Sequence, residues 1–391
     1  MVAGDRIVAV GPTAELERAY PTAERVPHDG GVLIPGFVDA HTHPVFFGTR
    51  ELEFEMRLAG RSYAEIAAAG GGILSSIQGV RGASSEQLLA LLLTRMDRFL
   101  ALGTTTVEAK TGYGLDLESE LRGLEVIAEA NRRHPVELVP TFLGAHAYPP
   151  EFGDRKAGYV DLLEHELLPA VVEQGVAEYA DVFTEEGAFS VDDSRRLMRR
   201  AQDLGLGLRL HVDQLTPLGG AQLAAELGAA TADHLEYVSP AGIEALAAAR
   251  VQPVLCPLVP FFIRASEQEA PGRRLVEAGL APVISTDFNP GSCYTQSMPE
   301  VCTWSALRYG FSAAECLVAA THNAACSVGR GERLGAIEPG KQADFVWLDG
   351  PNLEHLTYEF GRSPVRAVYK AGECVHRADG GWHRRLEGPE K

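Results

Sequence analysis

The sequence predicts an α/β fold, a (β/α)8 TIM-like barrel with a small β-sandwich domain formed from both chain termini. Three features of the 391 residues point there. Between about residue 36 and about residue 330, short apolar, β-branched runs alternate with longer Ala/Leu/Glu/Arg-rich stretches, the pattern of repeated β-α units. The runs number eight, which is what a closed barrel needs. The two ends instead carry short alternating strands separated by Gly-rich turns. The resulting division is 1–35 as the first part of the small β domain, 36–330 as the barrel and 331–391 as the returning part of the small domain.

In chain order, GDRIVAVGP and DGGVLIPG are the N-terminal strand candidates. Residue 1 already lies beside a strand, so an earlier strand or two of a complete small domain is expected to be missing. The barrel strands are expected in GFVDAHTH, TTTVEAKTG, ELVPTFLGAH, YADVFTEE, GLRLHVDQ, ATADHLEY, VQPVLCPL and APVISTDFN. Helical periodicity fills the gaps, as in SSEQLLALLLTRMDRFLALG, opened by Ser84 or Ser85 as N-cap and closed by Gly103, and in PLGGAQLAAELG. GKQADFVWLDG and PVRAVYKAGECVHRADG supply the C-terminal strands. An open doubly wound sheet uses the same β-α units and is the competing architecture.

Bulk composition narrows the function classes. Hydrophobic residues make up 46% and charged residues 23%, the ordinary mix of a folded globular chain. A formal net charge of -18 argues against nucleic-acid or anionic-membrane partners, whose phosphates require clustered Lys and Arg. A small-molecule substrate is the better match. Cys256, Cys293, Cys302, Cys316, Cys326 and Cys374 contain no C-x-x-C pair and form no disulfide framework. The N-terminus lacks a basic segment followed by a long apolar core, and no stretch of about 18 uncharged apolar residues occurs, so a cytoplasmic location is expected.

The chemistry concentrates at predicted strand ends. In Asp39-Ala40-His41-Thr42-His43, residues i and i+2 of a strand point to one face, so His41 and His43 converge. His211, His234 and Asp287 end later strands, and the C-terminal ends of barrel strands surround one mouth. A lone strand-end His is usually a satisfied or surface residue, and an Asp before Asn-Pro-Gly is often a turn former. Their shared place in the repeat is what singles them out. His41, His43, His211 and Asp287 would offer three imidazoles and a carboxylate to zinc or a similar first-row divalent ion, leaving a position for water. His234 would be free for acid-base or electrostatic work, and Asp287 could also receive the water proton.

At these residues the chain resembles a known family. PGFVDAHTHPVFFGTRELEF, EAKTGYGL, PTFLGAHAYPPEF, HVDQLTPLGG, ADHLEY and STDFNPGSC, in this order, look like the motifs of the imidazolonepropionase family of the amidohydrolase superfamily. The ordered set is the specific signal, since H-T-H alone marks only the superfamily. The resemblance implies hydrolysis of 4-imidazolone-5-propanoate to N-formimidoyl-glutamate, one zinc or iron ion per chain, and a homodimer. It implies metal ligation by His41, His43, His211 and Asp287. It further implies substrate contacts from Arg50, Tyr113, His146, Gln214, Asn289, Gly291 and Ser292, with Tyr63 added. Arg50 suits bidentate capture of the propanoate carboxylate, and Tyr63 and Tyr113 a flat wall with hydroxyl handles.

Two departures and two rivals accompany this reading. Gln214 stands where some members carry Glu; it cannot be a general base, which shifts that duty to Asp287 or His234. Lys110 invites comparison with the carbamylated, metal-bridging lysine of some superfamily members, yet it lies on an early strand with no extra histidine nearby in sequence. A deaminase on the same barrel is the enzymatic rival, and a silent scaffold is the non-enzymatic one.

Overall fold

The structure, a computed structural model, describes residues 1–28, 30–61, 65–66, 70–265 and 268–378. A two-stranded antiparallel ribbon, β1 (Val2–Ala3) and β2 (Arg6–Ile7), opens the chain, and β3 (Val32–Pro35) follows. Eight strands then alternate with helices: β4 (Phe37–Asp39), β5 (Thr104–Lys110), β6 (Glu137–Ala145), β7 (Tyr179–Thr184), β8 (Gly207–Val212), β9 (Thr231–His234), β10 (Gln252–Leu255) and β11 (Val283–Ile284). They pair in sequence order, and the neighbours are parallel. All seven residues of β5 are buried, as expected of a strand covered on both faces, and its Thr-Thr-Thr-Val run favours the extended backbone.

The last strand returns to the first. Thr42 and Phe288 form a parallel bridge, His43 N–H donates to the Phe288 carbonyl at 2.9 Å, and Asp287 N–H to the His41 carbonyl at 3.1 Å. Side chains reinforce this seam: Asp39, fully buried on β4, accepts from the Thr286 hydroxyl at 2.5 Å and from Thr286 N–H at 3.1 Å. The result is an eight-stranded parallel barrel, not an open doubly wound sheet.

The helix over Ser85–Ala101 shows how the outer layer is specified. Ser84, rather than Ser85, is its N-cap in a capping box with Gln87, and Gly103 follows at φ 90°. Leu88, Leu92, Met96 and Phe99 form the buried stripe. Arg95 on the same face donates to the Pro44 and Phe46 carbonyls, both at 2.8 Å, and so fixes the loop leaving the His41-Thr42-His43 segment.

The small sheet draws on both ends of the chain. β12 (Phe345–Leu348), β13 (Val365–Lys370) and β14 (Glu373–Arg377) join β3 in an antiparallel sheet of order β14-β13-β12-β3. Ile7 of the ribbon packs with Ala343, Phe345, Ala367 and Tyr369, which layers the ribbon on that sheet. A short helix over Thr13–Ala19 lies between β2 and β3, where the sequence reading had only strands.

Thr286→Val removes the hydroxyl that satisfies Asp39 across the seam and should lower unfolding free energy by about 1–3 kcal/mol. Urea unfolding of the metal-free protein checks this, and an unchanged midpoint would contradict a structural role for the tie.

Candidate active site

The barrel mouth gathers side chains from strands that are distant in sequence. His41 and His43 follow β4, His211 lies on β8, His234 ends β9 and Asp287 follows β11. All five are buried. His43 Nε2 lies 3.3 Å from His211 Nε2 and 3.3 Å from Asp287 Oδ1, and His41 Nε2 lies 3.5 Å from Asp287 Oδ1. The His234 ring sits 5.1 Å from that of His41 and 5.2 Å from that of His211. His234 and Asp287 both hold left-handed backbone, at φ 81° and 50°, which non-glycine residues rarely adopt. Such strain concentrates where a side chain must be turned into a site.

Carboxylates set the orientation of two of the rings. His41 Nδ1 lies 2.6 Å from Asp233 Oδ2 and His211 Nδ1 lies 3.1 Å from Asp181 Oδ1. An ionised carboxylate only accepts, so each Nδ1 carries the proton and each Nε2 faces the mouth. Burial pushes the His43 imidazole well down and that of His211 to about 3, leaving both neutral. For His41, burial and Lys110 also push downward, but Asp233 and Asp287 outweigh them and raise it to about 9. Asp287 is driven the other way: burial opposes ionisation, yet the adjoining His41 and His43 rings hold its carboxyl well below the usual range.

This donor set fits a divalent metal. Among the described residues, His41 Nε2 and Asp287 Oδ1 are buried without a hydrogen-bond partner, an arrangement that is costly unless something else binds them. Ligands at about 2.0–2.2 Å from one tetrahedral ion stand about 3.3–3.6 Å from each other. The three separations among His41, His43, His211 and Asp287 given above fall in that interval.

The other residues singled out by sequence take several positions around this set. His146 and Tyr113 flank the histidines: the His146 ring stacks on His43 at 5.2 Å, and Tyr113 lies 5.2 Å from His146. His146 Nδ1 donates to the Gly112 carbonyl at 2.9 Å, and burial lowers its pKa, so a neutral ring keeps its Nε2 lone pair. Arg50 lies against Gly291 so closely that a Cβ there would stand 2.3 Å from Arg50 Nη1. Its Nε and Nη2 are taken by Glu53 Oε2, at 2.8 and 2.7 Å. Asn289 and Ser292 bond mainly within their own turn: Asn289 Oδ1 accepts from the N–H groups of Gly291 and Ser292 at 2.8 Å each, and its Nδ2 donates to Ser292 Oγ at 2.7 Å. Ser292 Oγ in turn donates to Asp287 Oδ2 at 3.3 Å. Gln214 is half-buried and lines a small pocket with Glu236, Tyr237 and Gln268. Tyr63 lies outside the described residues.

Sequence reasoning missed the carboxylates beneath the site. Asp181 and Asp233 sit in buried barrel strands, and an acidic residue there must find a partner, which was the available signal. Glu120 was missed as well. Buried in the helix over Leu117–Arg133, it accepts from the N–H groups of Gly112, Gly114 and Leu115 at 2.9–3.2 Å and so shapes the loop that carries Tyr113.

Comparison with known proteins agrees with the barrel fold. The Amidohydrolase family model matches residues 32–375, and an imidazolonepropionase-like composite domain of bacteria matches residues 2–23. The chain belongs to the amidohydrolase family. It is 48% identical over 372 residues to the imidazolonepropionase of Solibacter usitatus, covering 95% of this chain and 89% of that protein. To the imidazolonepropionase of Symbiobacterium thermophilum it is 46% identical, covering 95% and 88%. Within the amidohydrolases it therefore falls in the imidazolonepropionase branch. Among solved structures, a 5-methylcytosine deaminase of Klebsiella pneumoniae aligns with a TM-score of 0.75 at 16% identity, covering 97% of this chain and 94% of that one. An adenosine deaminase of Xanthomonas campestris with bound zinc aligns at 0.68 and 22%, covering 95% and 87%. These two likenesses establish the fold.

Because His41 holds a proton up to about pH 9 in the metal-free protein, a metal must displace it. Affinity should then fall by about tenfold per pH unit below 9 and level off above it. Chelator competition at several pH values reads this; an affinity independent of pH between 7 and 9 would show that the His41 imidazole is already neutral before the metal binds.

Proposed function

We propose that residues 36–330 form a catalytic barrel that opens the ring of 4-imidazolone-5-propanoate by hydrolysis, giving N-formimidoyl-L-glutamate, the imidazolonepropionase step of histidine degradation. What supports this is the meeting of His41, His43, His211, His234 and Asp287 at one buried mouth, in a chain nearly half identical to imidazolonepropionases.

In this reading His41, His43, His211 and Asp287 hold one divalent ion, zinc or iron, through the atoms that face one another across the mouth. Such an ion acidifies water and polarises a carbonyl when bound. The protein positions and moves protons. His234 lies over the rings of His41 and His211, with its Nδ1 3.8 Å from Glu236 Oε1, where it can pass a proton to the departing ring nitrogen or stabilise the developing oxyanion. Asp287 Oδ2, steadied by Ser292, is the acceptor for a water proton. Arg50 presents Nη1 to the propanoate carboxylate, since Glu53 holds the rest of the guanidinium in place. Tyr113 and His146 form the wall against which the ring lies, and the remaining substrate contacts are assigned to Gln214, Asn289, Gly291 and Ser292, with Tyr63 added on the family resemblance alone. The homodimer and the cytoplasmic location are proposed with this reading; among the described residues, no helix is long and apolar enough to cross a membrane.

The decisive assay follows the ultraviolet absorbance of freshly made 4-imidazolone-5-propanoate together with ammonia. Loss of absorbance without ammonia is expected, whereas ammonia release would favour a deaminase. His234→Asn should keep the metal and lower kcat by about 100- to 10,000-fold; an undiminished kcat would remove His234 from the chemistry. Gly291→Ala should displace Arg50 and raise KM by about 10- to 100-fold, the loss of a charge-assisted hydrogen bond, with metal content unchanged. An unaltered KM would leave Arg50 without its assigned role.

A further inference from the structure

Below the histidines lies a buried charge cluster that the chemistry above does not use. Lys110 ends β5 fully buried, with Nζ 2.8 Å from Glu108 Oε1, 2.7 Å from Asp181 Oδ2 and 4.0 Å from Asp233 Oδ2. Arg209, equally buried on β8, approaches Glu108 Oε1 at 3.7 Å and Asp233 Oδ2 at 3.5 Å. It also donates to the carbonyls of Ala40 at 2.6 Å and Ser327 at 3.0 Å. Two cations thus neutralise most of the charge on three carboxylates in a space without water access. Two of those carboxylates, Asp181 and Asp233, also contact a histidine of the mouth.

A carbamylated Lys110 does not fit this environment. A carbamate on Nζ would place a new negative charge within about 3 Å of Glu108 and Asp181, a like-charge contact that the weakly screening interior strongly disfavours. The two ion pairs require an ammonium.

The geometry points to Lys110 as a positioning residue for the metal centre. Given the proposed ligand set, it pins Asp181 directly, while Arg209 holds Asp233 with the Lys110 charge farther off at 4.0 Å, so each carboxylate faces the Nδ1–H of its histidine and leaves Nε2 turned to the ion. A carboxylate released from Lys110 has two other outcomes. It can swing away from the imidazole N–H, or rotate toward the cation and disturb the donor set. Lys110 closes both routes without touching substrate or metal.

The test uses the full-length protein, stripped of metal and titrated with zinc alone. Lys110→Met should bind zinc about 10- to 100-fold more weakly than the parent, the usual effect of losing an outer partner of metal histidines, while the metal-free variant stays folded. The double variant Lys110→Met/Asp181→Asn removes one charge of each sign and guards against misfolding caused by an unpaired carboxylate; it should also lose at least about tenfold. Zinc binding within about twofold of the parent in either folded variant would overturn the assignment. Failure of the metal reading itself looks different: the parent would take up no zinc, and His211→Ala would behave like the parent.

Discussion

The closure of β4 onto β11 is the constraint on which the site depends. His41 and His43 reach the mouth from the first barrel strand and Asp287 from the last, and only the seam makes these neighbours. Its backbone bonds join the very residues in question, His41 to Asp287 and His43 to Phe288. Asp39 and Thr286 lock the same junction one step deeper. An open sheet with the same strands would leave the two histidines and the carboxylate at opposite edges. Fold and chemistry are therefore a single requirement here.

Below the seam, the barrel interior is charged, where a simple core would be apolar. Lys110, Arg209, Glu108, Asp181 and Asp233 are all fully buried, which is tolerable only because each has partners of opposite sign or hydrogen bonds. The same carboxylates choose the tautomer of His41 and His211. Electrostatics that would be an expense in a plain core thus become the means of presenting Nε2. On the opposite side of the site, Glu120 performs a related task with backbone N–H groups, fixing the loop whose Gly112 carbonyl receives the His146 proton.

Much of this was legible in the sequence because local patterns decided it. β-branched runs such as Thr104–Lys110 mark strands whatever surrounds them, and i, i+2 spacing puts His41 and His43 on one face. That His211, His234 and Asp287 end later strands followed from the repeat. What could not be read depends on register between strands. Asp181 stands beside Arg209, and Asp233 beside His211, only once β7, β8 and β9 are aligned. The ambiguous cap at Ser84 or Ser85 likewise needed the Gln87 contact to settle it. Arg50 also looked simpler in sequence than in space: it forms the acidic ion pair that its neighbours Glu51 and Glu53 foreshadow, yet it also presses on Gly291 at the loop after β11.

The most direct measurement is the position of anomalous scattering from zinc in crystals of the metal-loaded protein. The account predicts one peak per chain, about 2.0–2.2 Å from His41 Nε2, His43 Nε2, His211 Nε2 and an Asp287 oxygen. A peak elsewhere, such as at the surface cluster of Asp161, Glu164 and His165, with none at the barrel mouth, would contradict it.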